Sequence, residues 1–381
     1  MQNRRKHILF LSSWYPNQIL RDNGDFIQRH AQAIALMHDV TVVHAIKDPA
    51  LKSNKFKIEQ NLTKGVNEII VYCKPSLFKP FNLLYLLQAF LVGLKMVKPF
   101  HLVHLNVVYP AGLIAIYLNQ KFKKPIILTE HWSGLQSNNF NNLPLYKRWF
   151  IRKILKQIQL VLPVSHYLET AILKINPNLK SKVIPNVVDL DIFNKKETKS
   201  SENSTKQFLH ISNLKDEVKN VTGILNVVNR LAKEGLDFEF LVGGNGDLKF
   251  IESFIKEHKL QDYVSVFGRL EREQVAEKMS AADCFILFSR YENQPCVQVE
   301  AFASGLPLIA SNVGGVADFF PENFGVLVQS ENEEDLYQAM LEVINKKSFA
   351  SPLEMHHYAK DNFSKEEIAN QYHKVYQEIL K

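Results

Sequence analysis

Two α/β domains, each built on a doubly wound parallel sheet, are predicted by three observations. The chain has 381 residues, too many for one ordinary core and suited to two domains of roughly 150–200 residues. Short apolar runs alternate with longer helical patterns along most of it. After a wholly polar stretch at Lys195–Lys206 the same alternation starts again.

The first half offers six strands: His7–Leu11, Val40–Ala45, Glu68–Tyr72, Leu102–Leu105, Ile126–Thr129 and Leu160–Val164. Each is rich in β-branched or large apolar residues, as parallel strands covered on both faces must be. Helical patterns at Gly24–Met37 and Phe81–Val97 lie between them. Such alternation calls for right-handed β-α-β units. Lys195–Lys206 cannot bury a face and is expected to be a linker. Beyond it come strand Phe208–Ser212, helix Val221–Glu234, strand Phe238–Val242, helix Leu248–Lys259 and strand Val264–Phe267. Helix Arg272–Ser280, strand Cys284–Phe288, helix Cys296–Ser304 and strands Pro307–Ser311 and Gly325–Val328 follow. The final stretch, Ser364–Lys381, has an amphipathic pattern with Ser364 as N-cap and Glu367 three residues later. The expected division is residues 1–188, 189–363 and a last helix 364–381 crossing back to the first domain.

Composition narrows the function. Hydrophobic residues make up 46% and charged residues 22%, which excludes disordered and fibrous classes. The formal net charge of +7 suits an anionic ligand without choosing one. Cys73, Cys284 and Cys296 are widely separated, so neither a disulfide framework nor a zinc-ligand spacing is expected, and a reducing compartment fits. The apolar run Ile8–Leu11 is too short for a secretory signal. Leu83–Val97 is interrupted by Gln88, Gly93 and Lys95 and falls short of the ~20 apolar residues of a membrane span. A cytoplasmic location without a membrane span is the expectation.

In open α/β sheets ligands bind beyond the carboxyl ends of the strands, and with two Rossmann-like domains facing across a cleft that cleft is the default active site. The most informative loop there is Ser289-Arg-Tyr-Glu292-Asn-Gln-Pro-Cys296-Val297-Gln-Val-Glu300. With a helix starting near Cys296, Glu300 sits one turn inside it. Both carboxylates can then face a ligand whose phosphate lies on the helix N-terminus.

Together with Ala301, Ala303, Gly305, Pro307 and Ser311-Asn-Val-Gly314-Gly315-Val316, this run resembles the retaining glycosyltransferases of family 4 (group 1), which have the GT-B fold. Ile184-Pro185-Asn186 to Phe193, Gly243-Gly244-Asn-Gly246 and Val266-Phe-Gly268 are similar to that family's other segments, in the same order. The resemblance implies transfer of a sugar from a nucleotide-diphosphate sugar, UDP- or GDP-linked, to a saccharide or lipid-linked acceptor with retention of configuration. The nucleotide sugar is a substrate; neither a cofactor nor a metal is implied. A role in bacterial surface polysaccharide or glycolipid synthesis follows by analogy.

Residue by residue, the resemblance places Glu300 on the ribose hydroxyls and Glu292 on the transferred sugar. The backbone at Cys296 and Val297 lies near the diphosphate, and Gly268-Arg269 lies by the base. Lys219 matches the family's phosphate-binding lysine, while Asn213 stands where arginine is usual. Gly24, in Asp22-Asn23-Gly24-Asp25, corresponds to the loop brought to the diphosphate, and His131 to the first-domain histidine near the sugar. The catalytic assignments are thus His131 and Glu292. Two alternatives stay open: a sugar-nucleotide-binding partner subunit without activity, for which Asn213 speaks, and another GT-B enzyme such as a sugar-nucleotide epimerase. The basic and aromatic run Tyr146–Lys156 suits peripheral contact with anionic lipid. Nucleic-acid binding is not expected.

Overall fold

The computed structural model describes residues 5–52, 55–78, 81–194 and 205–381. It divides into two compact units. One runs up to Val187 and takes in Lys365–Lys381; the other is Val188–Ser364. Residues 195–204 of the expected linker lie outside the described residues. Its last residue, Lys206, already belongs to a strand.

In the first unit the order is β1 (His7–Ser12), α1 (Asp25–Ala35), β2 (Asp39–Lys47), β3 (Phe56–Thr63), β4 (Val66–Cys73) and α2 (Phe81–Leu94). Then come β5 (Leu102–Asn106), α3 (Gly112–Phe122), β6 (Ile126–Glu130), α4 (Ser137–Asn141), α5 (Leu145–Leu155), β7 (Leu160–Pro163) and α6 (His166–Ile175). The sheet order is β3-β4-β2-β1-β5-β6-β7.

Six of these strands are parallel, but β3 pairs antiparallel with β4, which corrects the all-parallel expectation. The two strands are joined at Lys64-Gly65, both at positive φ, the geometry of a tight hairpin turn. Phe56-Lys-Ile-Glu-Gln-Asn-Leu-Thr63 is largely exposed and lacks an apolar run because it is an edge strand, where charged residues discourage further pairing.

Alternate residues of β1 face opposite layers, as the two-residue period of a strand requires. Leu9 and Leu11 pack with residues of α2, α3, α5 and α6. Ile8 and Phe10 pack with α1 and with Ile368, Tyr372, Val375 and Tyr376 from the end of the chain.

The second unit comprises β8 (Lys206–Ser212), α7 (Asp216–Lys219), α8 (Val221–Lys233), β9 (Phe238–Gly244), α9 (Lys249–His258), β10 (Val264–Phe267) and α10 (Arg272–Ala281). It continues through β11 (Cys284–Leu287), α11 (Cys296–Ala303), β12 (Leu308–Ser311), β13 (Gly325–Val328), α12 (Glu333–Ile344) and α13 (Pro352–Phe363). The sheet is wholly parallel, in the order β10-β9-β8-β11-β12-β13. On α8, Val221, Ile224, Leu225, Val228 and Leu231 recur at helical spacing and are buried.

The chain leaves and re-enters this unit at one place: Val188 N donates to Phe363 O at 2.9 Å. The last helix, α14 (Lys365–Ile379), belongs to the first unit and packs on α1. In it Tyr372 OH meets His30 Nδ1 at 3.0 Å, and Tyr376 OH meets His104 Nδ1 at 2.7 Å.

Candidate functional site

In the second unit the chain builds outward from β8 through β9 to β10, then crosses to β11 on the other side. Strand order therefore reverses between β8 and β11, where doubly wound sheets open a crevice for ligands. The loops leaving these two strands are Asn213–Lys215 with the short α7, and Phe288–Pro295. Arg290 clips them together: its N–H donates to Val218 O at 2.8 Å, Nη1 to Asp216 O at 2.5 Å and Nη2 to Asn220 Oδ1 at 2.5 Å. Its Nε is paired with Glu331 at 2.6 Å.

The clip brings Lys219 Nζ to 2.5 Å from Glu292 Oε1, an oxygen that also accepts from Ser289 Oγ at 2.8 Å. Glu292 is buried and Lys219 half-buried, so each charge needs the other once water is largely removed.

Beneath the loop, fully buried His210 holds Ile286 O through Nδ1 at 2.9 Å and Ser212 Oγ through Nε2 at 2.9 Å. A carbonyl only accepts, so Nδ1 carries the proton. Burial, with Lys219 nearby, lowers the imidazole pKa to about 4, so it stays neutral at physiological pH. Ser212 Oγ in turn accepts from Leu214 N at 3.0 Å.

From the other side comes the loop after β12. Gly314 has φ +57, and a Cβ there would lie 1.7 Å from Glu292 O. Alanine at this position must displace the Glu292 backbone besides adopting a strained φ. A loss of about 1–3 kcal/mol is expected from the backbone conformation alone. Urea unfolding of Gly314→Ala checks this, and an unchanged midpoint would refute it.

Pro295 stands at the N-cap of α11, with Cys296 and Val297 part-exposed in the first turn. Glu300 is buried one turn further in rather than solvated. Gln298, fully buried, ties this helix to the loop after β12 by donating to Val316 O and Phe319 O, both at 2.9 Å.

Asn213 is exposed, and its Oδ1 accepts from Lys215 N at 3.3 Å. It does not supply the charge that arginine would, and the guanidinium of Arg290 is committed elsewhere. Gly268 and Arg269 follow β10, two strands from β8. Both are exposed, and Arg269 pairs with Glu271 at 2.7 Å. The structure thus joins Lys219 directly to Glu292, puts Cys296, Val297 and Glu300 on one helix, and leaves Gly268-Arg269 at the sheet edge.

In the first unit the strand order reverses between β1 and β5. Glu130 ends β6 and is fully buried. Its Oε1 accepts from His131 N and Trp132 N, each at 2.8 Å, and its Oε2 from Val108 N at 2.9 Å. Burial pushes its carboxyl up to about 7 against the pull of these three donors. One side chain therefore fixes the backbone after β5 and after β6.

His131 is buried, its ring 4.5 Å from that of Phe26 and 5.4 Å from that of His30. Burial, then the neighbouring His30 and His104, hold its pKa well below the usual value, so it is a neutral imidazole. Gly24 precedes α1 in the left-handed region at φ +71, two residues before Phe26, so the Gly24 turn and His131 converge within this unit. Sequence reasoning assigned no role to Glu130, Arg290 or Gln298. The last two stand inside the quoted Ser289–Glu300 run and Glu130 immediately precedes His131, which was the available signal.

Among the described residues no cluster of His, Cys, Asp or Glu is arranged for a metal ion, and no helix is long and apolar enough to cross a membrane.

The model of the family described as "Glycosyltransferase Family 4" matches residues 26–192, and that of "Glycosyl transferases group 1" matches residues 191–363. An uncharacterized glycosyltransferase of Methanocaldococcus jannaschii is 27% identical over 330 residues, covering 84% of this chain and 87% of that protein. The N-acetyl-alpha-D-glucosaminyl L-malate synthase of Bacillus anthracis is 26% identical over 310 residues, covering 74% and 75%. Among solved structures, Anabaena HepE in complex with UDP and glucose superposes with a TM-score of 0.74 at 15% identity, covering 98% of this chain and 100% of that one.

Proposed function

Because the chain belongs to the group 1 glycosyltransferases of family 4, with the GT-B fold, we propose that it transfers a sugar from a nucleotide-diphosphate sugar held in its second unit, with retention of configuration and without a metal. The observation that carries this is the Lys219–Glu292 pair at the β8/β11 switch point, at the N-terminal side of α11. A diphosphate at that helix terminus meets backbone N–H groups and the positive end of the helix dipole. Lys219 exchanges its bond to Glu292 for the phosphate, which frees the Glu292 carboxylate to accept from hydroxyls of the transferred sugar. Glu300 accepts from the ribose hydroxyls. His131 of the first unit is a neutral imidazole, so the role the family resemblance gives it is that of a hydrogen-bonding group rather than a cation. The leaving diphosphate gains negative charge as the glycosidic bond breaks; Lys219 and the α11 amides stabilise it, and its oxygen takes the proton of the acceptor hydroxyl.

UDP is the nucleotide to try first, since the HepE structure named above holds it. The acceptor is read as a saccharide or a lipid-linked saccharide, with the protein acting at the inner face of a cytoplasmic membrane in surface glycan or glycolipid synthesis. Calorimetric titration with UDP and GDP tests the donor site. Micromolar binding of one of them is expected, weakened at least tenfold, about 1.4 kcal/mol, in Glu300→Ala. Equal affinity of wild type and Glu300→Ala would remove Glu300 from the site. The anomeric configuration of the product, read by NMR, tests retention.

A second reading, a nucleotide-sugar-binding partner subunit without turnover, is favoured by Asn213, which leaves the loop short of one positive charge. Donor binding without transfer to any of a panel of acceptors would select it.

A further inference from the structure

Between Glu68 and Glu169 the sequence carries twelve lysines and arginines and one acid, Glu130, which is fully buried. The whole positive excess of the chain therefore resides in this stretch. It includes α2, α3 and α5, which pack on one face of the first sheet.

The solvent side of these helices is unusually apolar. Phe81, Leu84 and Leu91 on α2, Tyr117 and Phe122 on α3, and Leu145, Tyr146 and Trp149 on α5 are all more than a third exposed. A cavity of about 620 Å3 opens where α2 and α3 end, a volume within the roughly 300–1,000 Å3 of ligand pockets. Leu91, Leu94, Val97, Phe100, Leu118 and Phe122 supply its apolar lining, and its charged residues are Lys95, Lys121 and Lys124. Lys121 Nζ donates to Tyr117 OH at 3.0 Å and lies 5.2 Å from the centre of the Phe122 ring. Its stem covers apolar surface while the ammonium stays at the rim, as amphipathic side chains do at lipid interfaces.

Position separates this cavity from the transfer chemistry. Val97–Phe100 lead into β5 and Lys124 into β6, so it lies at the amino ends of those strands. His131 stands at the carboxyl end of β6, about 15 Å away along strands rising ~3.3 Å per residue. The cavity is therefore too far from the carboxyl ends to hold a reacting hydroxyl.

The geometry points to a lipid-anchoring site: the cavity between α2 and α3 takes an acyl chain of an anionic phospholipid, whose phosphate meets Lys95, Lys121 and Lys124. An apolar slot alone would accept any chain. The three lysines, with no exposed acid anywhere between Glu68 and Glu169, select an anionic headgroup. This rests on the reading of peripheral membrane contact and gives that contact a specific seat.

Co-sedimentation of the full chain with vesicles of equal parts phosphatidylglycerol and phosphatidylcholine tests it, with pure phosphatidylcholine as the reference. Binding to the anionic vesicles is expected, reduced about tenfold or more in Leu94→Trp, which fills the cavity, and in the triple variant Lys95→Glu/Lys121→Glu/Lys124→Glu. Circular dichroism and the thermal midpoint confirm that each variant is folded; Leu91→Glu, at an exposed lining position, replaces Leu94→Trp if the latter is not. Full binding by the folded cavity variants, with loss only in Lys147→Glu/Lys153→Glu on α5, overturns the cavity and leaves peripheral contact standing. Absence of binding by wild type at low salt overturns both.

Discussion

Replacing Lys219 with alanine is expected to lower sugar transfer about 100- to 1,000-fold, the magnitude that follows removal of one preorganised group facing a charge that develops in the transition state. That range is about 2.7–4 kcal/mol of barrier. The loop after β8 otherwise presents only Asn213 and the exposed Lys215, and Arg290 is engaged with Asp216, Asn220 and Glu331. The substitution also strands the Glu292 carboxylate with Ser289 as its remaining partner in the structure, so the fold weakens too. A double variant isolates the effect on stability. Lys219→Ala/Glu292→Gln removes the orphaned charge, so its unfolding midpoint returns toward that of wild type. Wild-type transfer by folded Lys219→Ala would show that Lys219 serves only to neutralise Glu292.

Glu130→Gln is expected to destabilise the first unit by about 1–3 kcal/mol at pH 5, the cost of a buried donor left without an acceptor. Three backbone N–H groups converge on two carboxylate oxygens. An amide offers one oxygen and turns N–H groups toward at least one donor. The pH dependence has a definite sign. The carboxyl titrates near 7 in the folded protein against an ordinary value of 4.5, so the native state binds the proton more tightly than the unfolded chain. The stability this contributes is fully present below about 4.5 and is lost as pH rises through about 7. The advantage of wild type over Glu130→Gln therefore shrinks between pH 5 and pH 8, by up to roughly 3 kcal/mol at 1.36 kcal/mol per pKa unit. Urea unfolding of both proteins at the two pH values reads it. A difference that does not change with pH would mean that Glu130 is ionised throughout. Because the same carboxylate holds the His131 and Trp132 amides, transfer should fall along with stability.

Fully covered parallel strands were legible because both of their faces are apolar: β1, β6 and β11 stand out as continuous runs. β3 was not, since an exposed edge strand has neither a run nor a strict alternation, and its pairing comes from the turn at Lys64-Gly65. The switch-point rule and the motif residues marked the loops after β8 and β11. Lys219 and Glu292, 73 positions apart, could be named from sequence, but their mutual bond could not. Arg290, Gln298 and Glu130 escaped for a common reason. Each acts on backbone groups of another loop, and no local pattern reveals which distant carbonyl or amide a polar side chain will reach. The charge run on α5 was visible as a segment; the cavity at the ends of α2 and α3 depends on how two helices finish side by side.

The hydrogen bond between Val188 and Phe363 makes the second unit an insert within the first, entered and left through adjacent positions. Such an insert can complete its own core as soon as it has been synthesised, since domains fold as units on the growing chain. The first unit cannot. Until Tyr372 and Tyr376 emerge from the ribosome, His30 and His104 lack these phenolic partners, and α1 has no helix to cover it. A truncation at Val187 therefore leaves a sheet with one layer missing, whereas Val188–Ser364 is the piece to express alone. During biosynthesis the later-made unit is therefore expected to mature first and the earlier-made one to be sealed last.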